Sequence, residues 1–176
     1  MTTPRPGDFF LAPIPGNVGA GIRFGQWLNG EGFLPYQHAG ILLDEYTTIE
    51  AMPGGAILGD YRRWKPEELR WSTDLVDLTD TQRVNIVHLG MKLEGLPYSF
   101  LDYGSLALHR FHVPFPGLKR YIDSSGHMIC SQLVDYVYAK CDVHLFRDGR
   151  WPGYVTPASL DMLLDSIEFE KTAQGI

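Results

Sequence analysis

Two segments far apart in the sequence carry side chains suited to nucleophilic catalysis. Cys130 precedes the apolar pair Leu133 and Val134, and this pattern predicts that it lies in the first turn of a helix. His38 lies within residues 37–43, where apolar side chains predict a β-strand. A helix N-terminus and a nearby imidazolium both favour the thiolate form of cysteine, which is the nucleophilic form. The two residues together therefore predict a cysteine nucleophile with a histidine base.

The alternation of side chains along two neighbouring strands places Glu50 beside His38. Strands are predicted over about residues 36–43 and 47–52, joined by a three-residue connection. This connection pairs position 43 with position 47 and position 40 with position 50, so that Glu50 and His38 become diagonal neighbours on one face. A two-residue connection would instead place them on opposite faces.

Gly40 and the Glu50 carboxylate make the predicted site suitable for catalysis by His38. Gly40 lies directly opposite Glu50 in the predicted register, which leaves space for the carboxylate to approach the imidazole. A carboxylate bonded to the ring holds one tautomer of the histidine, as in hydrolases with a catalytic triad. We therefore predict that the catalytic residues are Cys130, His38 and Glu50.

Length and charge exclude several classes of function. The 176 residues predict one domain over residues 1–176, because no repeat, low-complexity tract or linker divides them. The net charge is −6 and no basic cluster is present, so a nucleic-acid partner is not expected. No run approaches the ~20 apolar residues of a membrane span. The first residues lack the apolar region of a secretory signal, which predicts a cytoplasmic protein.

The two cysteines are not expected to form a disulfide. Cys130 and Cys141 are eleven residues apart on one predicted helix, which separates them by roughly 16 Å at the helical rise per residue. A disulfide requires Cα atoms within about 7 Å of each other. This agrees with a reducing, cytoplasmic environment, and no cofactor is predicted.

The rest of the chain predicts an α+β arrangement. Further strands are expected at residues 9–12, 56–58 and 75–78, with a loop and short helix between 16 and 32 and a loop or irregular edge over 61–69. Helices are expected over about residues 79–94, 99–111 and 130–141, and from Thr156-Pro157 onwards. Thr79 or Asp80 would cap the first of them, and Thr156 would cap the last. Periodicity predicts that two of these helices bury the following faces: Val84, Val87, His88 and Met91 in the first, and Leu133, Val134, Val137 and Cys141 in the third.

Taken in order, these segments resemble the circularly permuted papain-like group. That group includes the YiiX/YaeF-like proteins and belongs with NlpC-type cell-wall peptidases and lecithin retinol acyltransferase-like proteins. In ordinary papain-like enzymes the cysteine precedes the histidine, whereas here the order is His38, Glu50, Cys130, as in the permuted branch. The segments that carry the resemblance are His-Ala-Gly-Ile at 38–41, Ile-Glu-Ala at 49–51, Ile-Cys-Ser-Gln-Leu-Val at 129–134, Gly-Asp at 7–8, Gly-Leu-Pro-Tyr at 95–98 and Thr-Pro-Ala-Ser-Leu at 156–160.

The resemblance implies a fold and an activity. The fold would be α+β, papain-like (NlpC-type) and circularly permuted, with an antiparallel sheet or small barrel packed against helices. Cys130 would be the nucleophile, His38 the base and Glu50 the residue that orients the histidine, with the Cys130 backbone N–H donating to an oxyanion. The implied reaction is hydrolysis of an amide bond through an acyl-enzyme, with a peptide, peptidoglycan-fragment or acyl substrate. Residues 62–71 and 101–121 match no part of the family pattern and are candidates for the substrate cleft.

Other functions fit parts of the same pattern. An acyltransferase or lipid esterase would use the same chemistry, and a non-catalytic ligand-binding module would use the fold alone. A zinc site is a third alternative, because His109 and His112 are three residues apart, as are His127 and Cys130. No glycine-rich knuckle accompanies them, so a metal is not predicted. His127 is also the closest substitute for His38 as base, although it would lie beside the thiol.

Overall fold

A five-stranded antiparallel β-sheet forms the centre of the protein. The computed structural model describes residues 3–28, 31–32, 34–52, 55–95, 130–148 and 155–175. The strand order is β4-β3-β2-β1-β5, with every neighbouring pair antiparallel. Within these residues the sheet is open, with β4 and β5 at its edges. The strands are β1 (Phe9–Ala12), β2 (His38–Leu42), β3 (Thr47–Met52), β4 (Gly55–Asp60) and β5 (Arg70–Trp71).

Helices and short turns complete the α+β architecture. Helix α1 spans Gly16–Leu28, α2 Asp80–Lys92, α3 Cys130–Lys140 and α4 Pro157–Gln174. Two 3-10 turns, Tyr61–Arg63 and Pro66–Glu68, lie between β4 and β5. In the described part of the chain, no helix combines the length and the apolarity that a membrane crossing needs.

The predicted register of β2 and β3 is confirmed. Gly40 pairs with Glu50, and the Leu43 N–H donates to the Thr47 carbonyl at 2.7 Å. The side chain of Asp44 holds the connection closed, because its Oδ1 accepts the backbone N–H groups of both Tyr46 and Thr47. This local bonding is typical of aspartate in turns and fixes the three-residue connection on which the register depends.

One face of the sheet packs on α3 and forms the apolar core. Ala39, Ile41 and Ile49 point to this side and are fully or almost fully buried. They meet the predicted face of α3, which is confirmed: Leu133, Val134 and Val137 are fully buried, and Cys141 is nearly so. Both Cys130 and Cys141 are free thiols, as expected. The polar side chains that alternate with Ala39, Ile41 and Ile49 therefore lie on the opposite face of the sheet.

A buried ion pair ties the start of the chain to α2. Asp8 is fully buried, and its Oδ1 accepts a hydrogen bond from Arg83 Nη1 at 2.8 Å. Its Oδ2 accepts from the Thr73 hydroxyl at 2.8 Å and from the Arg5 backbone N–H at 2.9 Å. The hydroxyl of Tyr138, on α3, donates to the Gly7 carbonyl. The Gly-Asp pair of the sequence thus joins β1 to two helices.

The predicted apolar face of α2 is wrong. Val84 and Met91 are 54% and 48% exposed, His88 is exposed and Val87 is half-buried. The buried residues of the helix are Arg83, Ile86 and Gly90. A Cβ at Gly90 would lie 2.7 Å from Leu43 Cδ2, so the helix approaches the sheet through a residue without a side chain. Periodicity of apolar residues could not reveal this, because a glycine and an ion-paired arginine occupy the contact.

The strand predicted at residues 75–78 is absent. The backbone N–H groups of Leu75 and Val76 both donate to the Ser72 carbonyl at 3.0 Å, and Asp74 has a positive φ of 60°. These local bonds close a turn, which replaces strand pairing.

Other predicted elements are confirmed with small shifts. Thr156 caps α4 as predicted, and of the two caps expected for α2, Thr79 or Asp80, the structure has Thr79; each lies within a capping box. Helix α1 is longer than the short helix expected there. The helix at 99–111, His109, His112, His127 and positions 96–98 of the family pattern lie outside the described residues.

We predict that Asp8→Asn lowers the free energy of unfolding by about 3 kcal/mol, because it leaves Arg83 buried without a countercharge. Urea unfolding followed by circular dichroism measures this. The matched control is Asp77→Asn, which removes an exposed ion pair with Lys171 and should cost at most about 1 kcal/mol. Equal losses for the two variants would contradict the structural role of Asp8.

Candidate functional site

The structure brings the three predicted residues together at one end of β2. His38 is the first residue of β2, Glu50 lies on β3 and Cys130 is the first residue of α3. His38 and Glu50 lie on the sheet face opposite the α3 core, because they alternate with the buried Ala39 and Ile49. His38 forms side-chain hydrogen bonds with both Glu50 and Cys130.

The His38–Glu50 contact is a buried charged pair. His38 Nε2 lies 2.7 Å from Glu50 Oε2, and the two residues are 3% and 0% exposed. A Cβ at Gly40 would lie 2.7 Å from Glu50 Cγ and 2.6 Å from Phe10 Cε1. The expectation that Gly40 makes room for the carboxylate is therefore confirmed, since any larger residue would displace Glu50 or Phe10.

Glu50 accepts hydrogen bonds from four side-chain donors. Its Oε2 accepts from His38, from Arg63 Nη2 at 2.7 Å and from Trp64 Nε1 at 3.2 Å. Its Oε1 accepts from Thr48 Oγ1 at 2.6 Å. Burial alone would raise the pKa of the Glu50 carboxyl, but the bonds to His38, Thr48 and Arg63 lower it below its ordinary value of 4.5. Glu50 is therefore ionised and acts only as an acceptor.

An ionised Glu50 fixes the proton on the histidine ring. Because Oε2 can only accept, Nε2 of His38 carries a hydrogen, and Nδ1 is the ring nitrogen left for Cys130. Burial alone would lower the pKa of His38, but the hydrogen bonds to Cys130 and Glu50 outweigh it and raise the pKa to about 9. At neutral pH the ring is therefore an imidazolium placed between a carboxylate and the sulfur of Cys130.

Aromatic side chains hold the imidazole in place. The indole of Trp64 stacks on His38 with ring centroids 5.0 Å apart and an interplanar angle of 29°. Phe10 meets the ring edge-on at 6.4 Å and also contacts Trp71. This packing covers the His38–Glu50 bond and fixes the plane of the ring, so that Nδ1 points in one direction.

Cys130 is less exposed than is usual for a reactive thiol. Reactive cysteines typically lie in partly exposed surroundings, whereas Cys130 is 2% exposed. The next residue, Ser131, donates its hydroxyl to the Val155 carbonyl at 2.7 Å, which anchors this end of α3 beside the start of α4. The second thiol, Cys141, has a pKa raised by burial and by the nearby charge of Asp142. The two thiols thus differ in their electrostatic surroundings.

The sequence did not lead us to predict three of the side chains that donate hydrogen bonds to Glu50, namely Thr48, Arg63 and Trp64. Thr48 was detectable, because it shares a strand face with Glu50 by simple alternation. Arg63 and Trp64 lie in the segment without family resemblance, which folds back over the sheet through the 3-10 turn Tyr61–Arg63. Asp60 caps this turn by accepting the Arg62 backbone N–H. No periodic pattern marks such a segment, so only its concentration of aromatic and basic residues could have drawn attention to it.

The alternatives and the family resemblance are not tested by this geometry. Among the described residues, no group of three or more histidine, cysteine or acidic side chains could hold a metal ion. The histidines of the zinc alternative lie outside that part of the chain. No protein-family model matches the sequence, and no curated protein matches it. The catalytic roles of Cys130, His38 and Glu50 stay predictions that rest on their arrangement.

We predict that Glu50→Gln lowers the free energy of unfolding by about 3 kcal/mol at neutral pH, because it removes the countercharge of buried groups. The pKa of Glu50 is lowered from 4.5 by folding, so its contribution is present above pH 4.5 and is lost as the pH falls through the folded value. The difference between wild type and variant should therefore shrink below pH 4.5.

Urea unfolding from neutral pH down to about pH 3 measures this window. The control is Glu45→Gln, an exposed carboxylate on the β2–β3 connection, which should change stability by at most about 0.5 kcal/mol. A Glu50→Gln difference that stays constant across the window would contradict the assignment of an ionised Glu50.

Proposed function

We propose that this protein is a cysteine-dependent hydrolase of amide bonds that acts through Cys130, His38 and Glu50. The observation that carries the proposal is the position of the His38 imidazole, which bonds to Glu50 through Nε2 and also to Cys130. A nucleophile, a base and a residue that orients the base form the arrangement required for covalent acyl transfer.

The mechanism begins from a thiolate–imidazolium pair. The Cys130 sulfur attacks the carbonyl carbon of the substrate and forms a tetrahedral oxyanion, to which the Cys130 backbone N–H at the start of α3 donates. His38 Nδ1–H gives its proton to the leaving amine as the C–N bond breaks, which leaves a thioester. Neutral His38 then removes a proton from water, the hydroxide attacks the thioester, and the acid product leaves with the ion pair restored. Glu50 keeps Nε2 protonated throughout.

The arrangement of elements supports the resemblance to the permuted papain-like group. Histidine lies on a strand of an antiparallel sheet, the acid lies on the adjacent strand, and cysteine begins a helix packed against that sheet. Their order along the chain is that of the permuted branch. We therefore propose a peptide or a peptidoglycan fragment as substrate, in a cytoplasmic setting. An acyltransferase or esterase differs only in the group that supplies or accepts the acyl chain.

One observation favours a non-catalytic ligand-binding module as the second candidate. Cys130 and His38 are both almost fully buried, so a substrate reaches the sulfur only if the surrounding surface opens. Thiol chemistry distinguishes the two functions, because a nucleophile must react with small electrophiles while a packed core residue does not.

We predict that iodoacetamide labels Cys130 much faster than Cys141, with an apparent thiol pKa well below the ordinary value of about 8.5. The His38 imidazolium favours the Cys130 thiolate, whereas burial raises the pKa of Cys141. Site-resolved mass spectrometry across a pH series measures both rates. A bulky maleimide, used in parallel, reports how wide the route to the sulfur is.

The Cys130→Ala variant provides the control, because it should leave only the slow labelling of Cys141. Slow labelling of both thiols at similar rates, with an ordinary pH dependence, would contradict the hydrolase and favour the binding module.

We predict that Cys130→Ala abolishes turnover and that His38→Ala lowers it by at least about 100-fold, the usual contribution of a positioned base. Glu50→Gln should leave weak activity, because glutamine still accepts from Nε2. The measurement is a screen of peptide, peptidoglycan-fragment and ester substrates, with circular dichroism as a check of folding. His127→Ala is the control and should stay active. Activity lost in His127→Ala but kept in His38→Ala would overturn the assignment of the base.

A further inference from the structure

Arg63 occupies an unusual position behind the candidate triad. Its Nη2 lies 2.7 Å from Glu50 Oε2, the same oxygen that lies 2.7 Å from His38 Nε2. Its guanidinium also lies over the indole of Trp64, 5.3 Å from the ring centroid. That indole stacks on His38. Arg63 thus contacts both Glu50 and Trp64, the two side chains that hold the His38 imidazole in place.

Two cations share a single carboxylate oxygen in this arrangement. The Glu50 charge that would otherwise stabilise only the imidazolium is divided between His38 and Arg63. The guanidinium of Arg63 and the imidazolium of His38 also repel each other, and neighbouring like charges disfavour each other's charged form. The imidazolium is therefore stabilised less than it would be by Glu50 alone. This matters for a general acid, because a proton that is held too strongly is not transferred to a leaving group.

We propose that Arg63 is a positioning residue for the reaction: its guanidinium fixes the Glu50 carboxylate and takes up part of its negative charge, so that His38 gives its proton to the leaving amine more readily. This inference rests on the proposed function for its catalytic meaning. The effect of Arg63 on the charge of His38 can be measured without turnover.

Several charged and polar groups of the described residues set this balance. In that part of the chain, the titratable side chains that bond to His38 are Cys130 from α3 and Glu50 from β3. Glu50 is faced by His38, Thr48, Arg63 and Trp64. Arg63 is thus the cation, apart from the imidazolium, that bonds to Glu50 in the described structure. The neighbouring Arg62 is directed elsewhere, onto Asp60 and the ring of Tyr46.

This difference supplies a matched pair of variants. Arg63→Gln removes the charge beside Glu50, whereas Arg62→Gln removes an equal charge from the same 3-10 turn without touching Glu50. We predict that Arg63→Gln raises the pKa of His38 by about half a pH unit, and that Arg62→Gln leaves it unchanged. Arg63→Lys keeps the charge and should return the pKa towards the wild-type value. The Arg63 side chain is 36% exposed, and solvent screening keeps the shift small.

Nuclear magnetic resonance titration of histidine imidazoles measures this pKa directly and needs no substrate. The His38 signal is assigned by its loss in His38→Gln. Once a substrate is found, the alkaline limb of kcat/KM should move upward in Arg63→Gln by the same amount, because that limb reports the loss of the imidazolium proton.

A His38 pKa that is unchanged or lowered in Arg63→Gln, or equally shifted in Arg62→Gln, would overturn the proposal. The same holds if Arg63→Lys behaves like Arg63→Gln, because the effect would then come from packing and not from charge. If the shift is seen but Cys130 does not react with iodoacetamide, the charge sharing stands and the hydrolase fails. The two ideas can therefore fail separately.

Discussion

The buried carboxylate of Glu50 is the constraint on which the rest of the site depends. An ionised group without solvent is strongly destabilising unless donors surround it. Glu50 obtains its donors from its own strand, from β2 and from the turn that follows β4. The backbone must also leave room, since a Cβ at Gly59 would lie 2.7 Å from Glu50 Oε1. The strand register, the glycines at positions 40 and 59 and the 3-10 turn Tyr61–Arg63 thus all help to accommodate the buried charge of Glu50.

The sheet serves different purposes on its two faces. The apolar face packs on α3, and that packing brings the first residue of α3 to the end of β2. The other face carries the polar cluster around Glu50, where Trp64 stacks on His38 and Tyr61 packs edge-on against Trp71. Cys130 belongs to the apolar core, while His38 belongs to the polar cluster. The contact between them occurs at the strand end, where the two environments meet.

Local patterns in the sequence were sufficient to predict that His38 and Glu50 lie side by side. Period-two alternation and a three-residue turn fixed the relation between His38 and Glu50, because both depend on neighbouring residues alone. The cap at Thr156 was equally local, and the start of α2 was narrowed to Thr79 or Asp80. The buried face of α2 was not predictable in this way, since Gly90 and Arg83 make its contacts in place of apolar side chains. Arg63 and Trp64 were missed because a non-periodic segment reaches Glu50 only through the tertiary fold.

The ionic character of the buried His38–Glu50 pair is a second argument for the proposed function. Replacing a buried ion pair by well-packed apolar residues of similar volume is often neutral or stabilising. A protein that needed only a firm contact between β2, β3 and α3 could obtain it from the aliphatic side chains that fill the other face. The site instead brings a carboxylate, an imidazole and a thiol into contact, all three almost fully buried. Low exposure strengthens the interactions among these groups, and strongly perturbed titratable groups are concentrated at functional sites. The burial that limits access to Cys130 therefore also strengthens its interaction with the His38 imidazole.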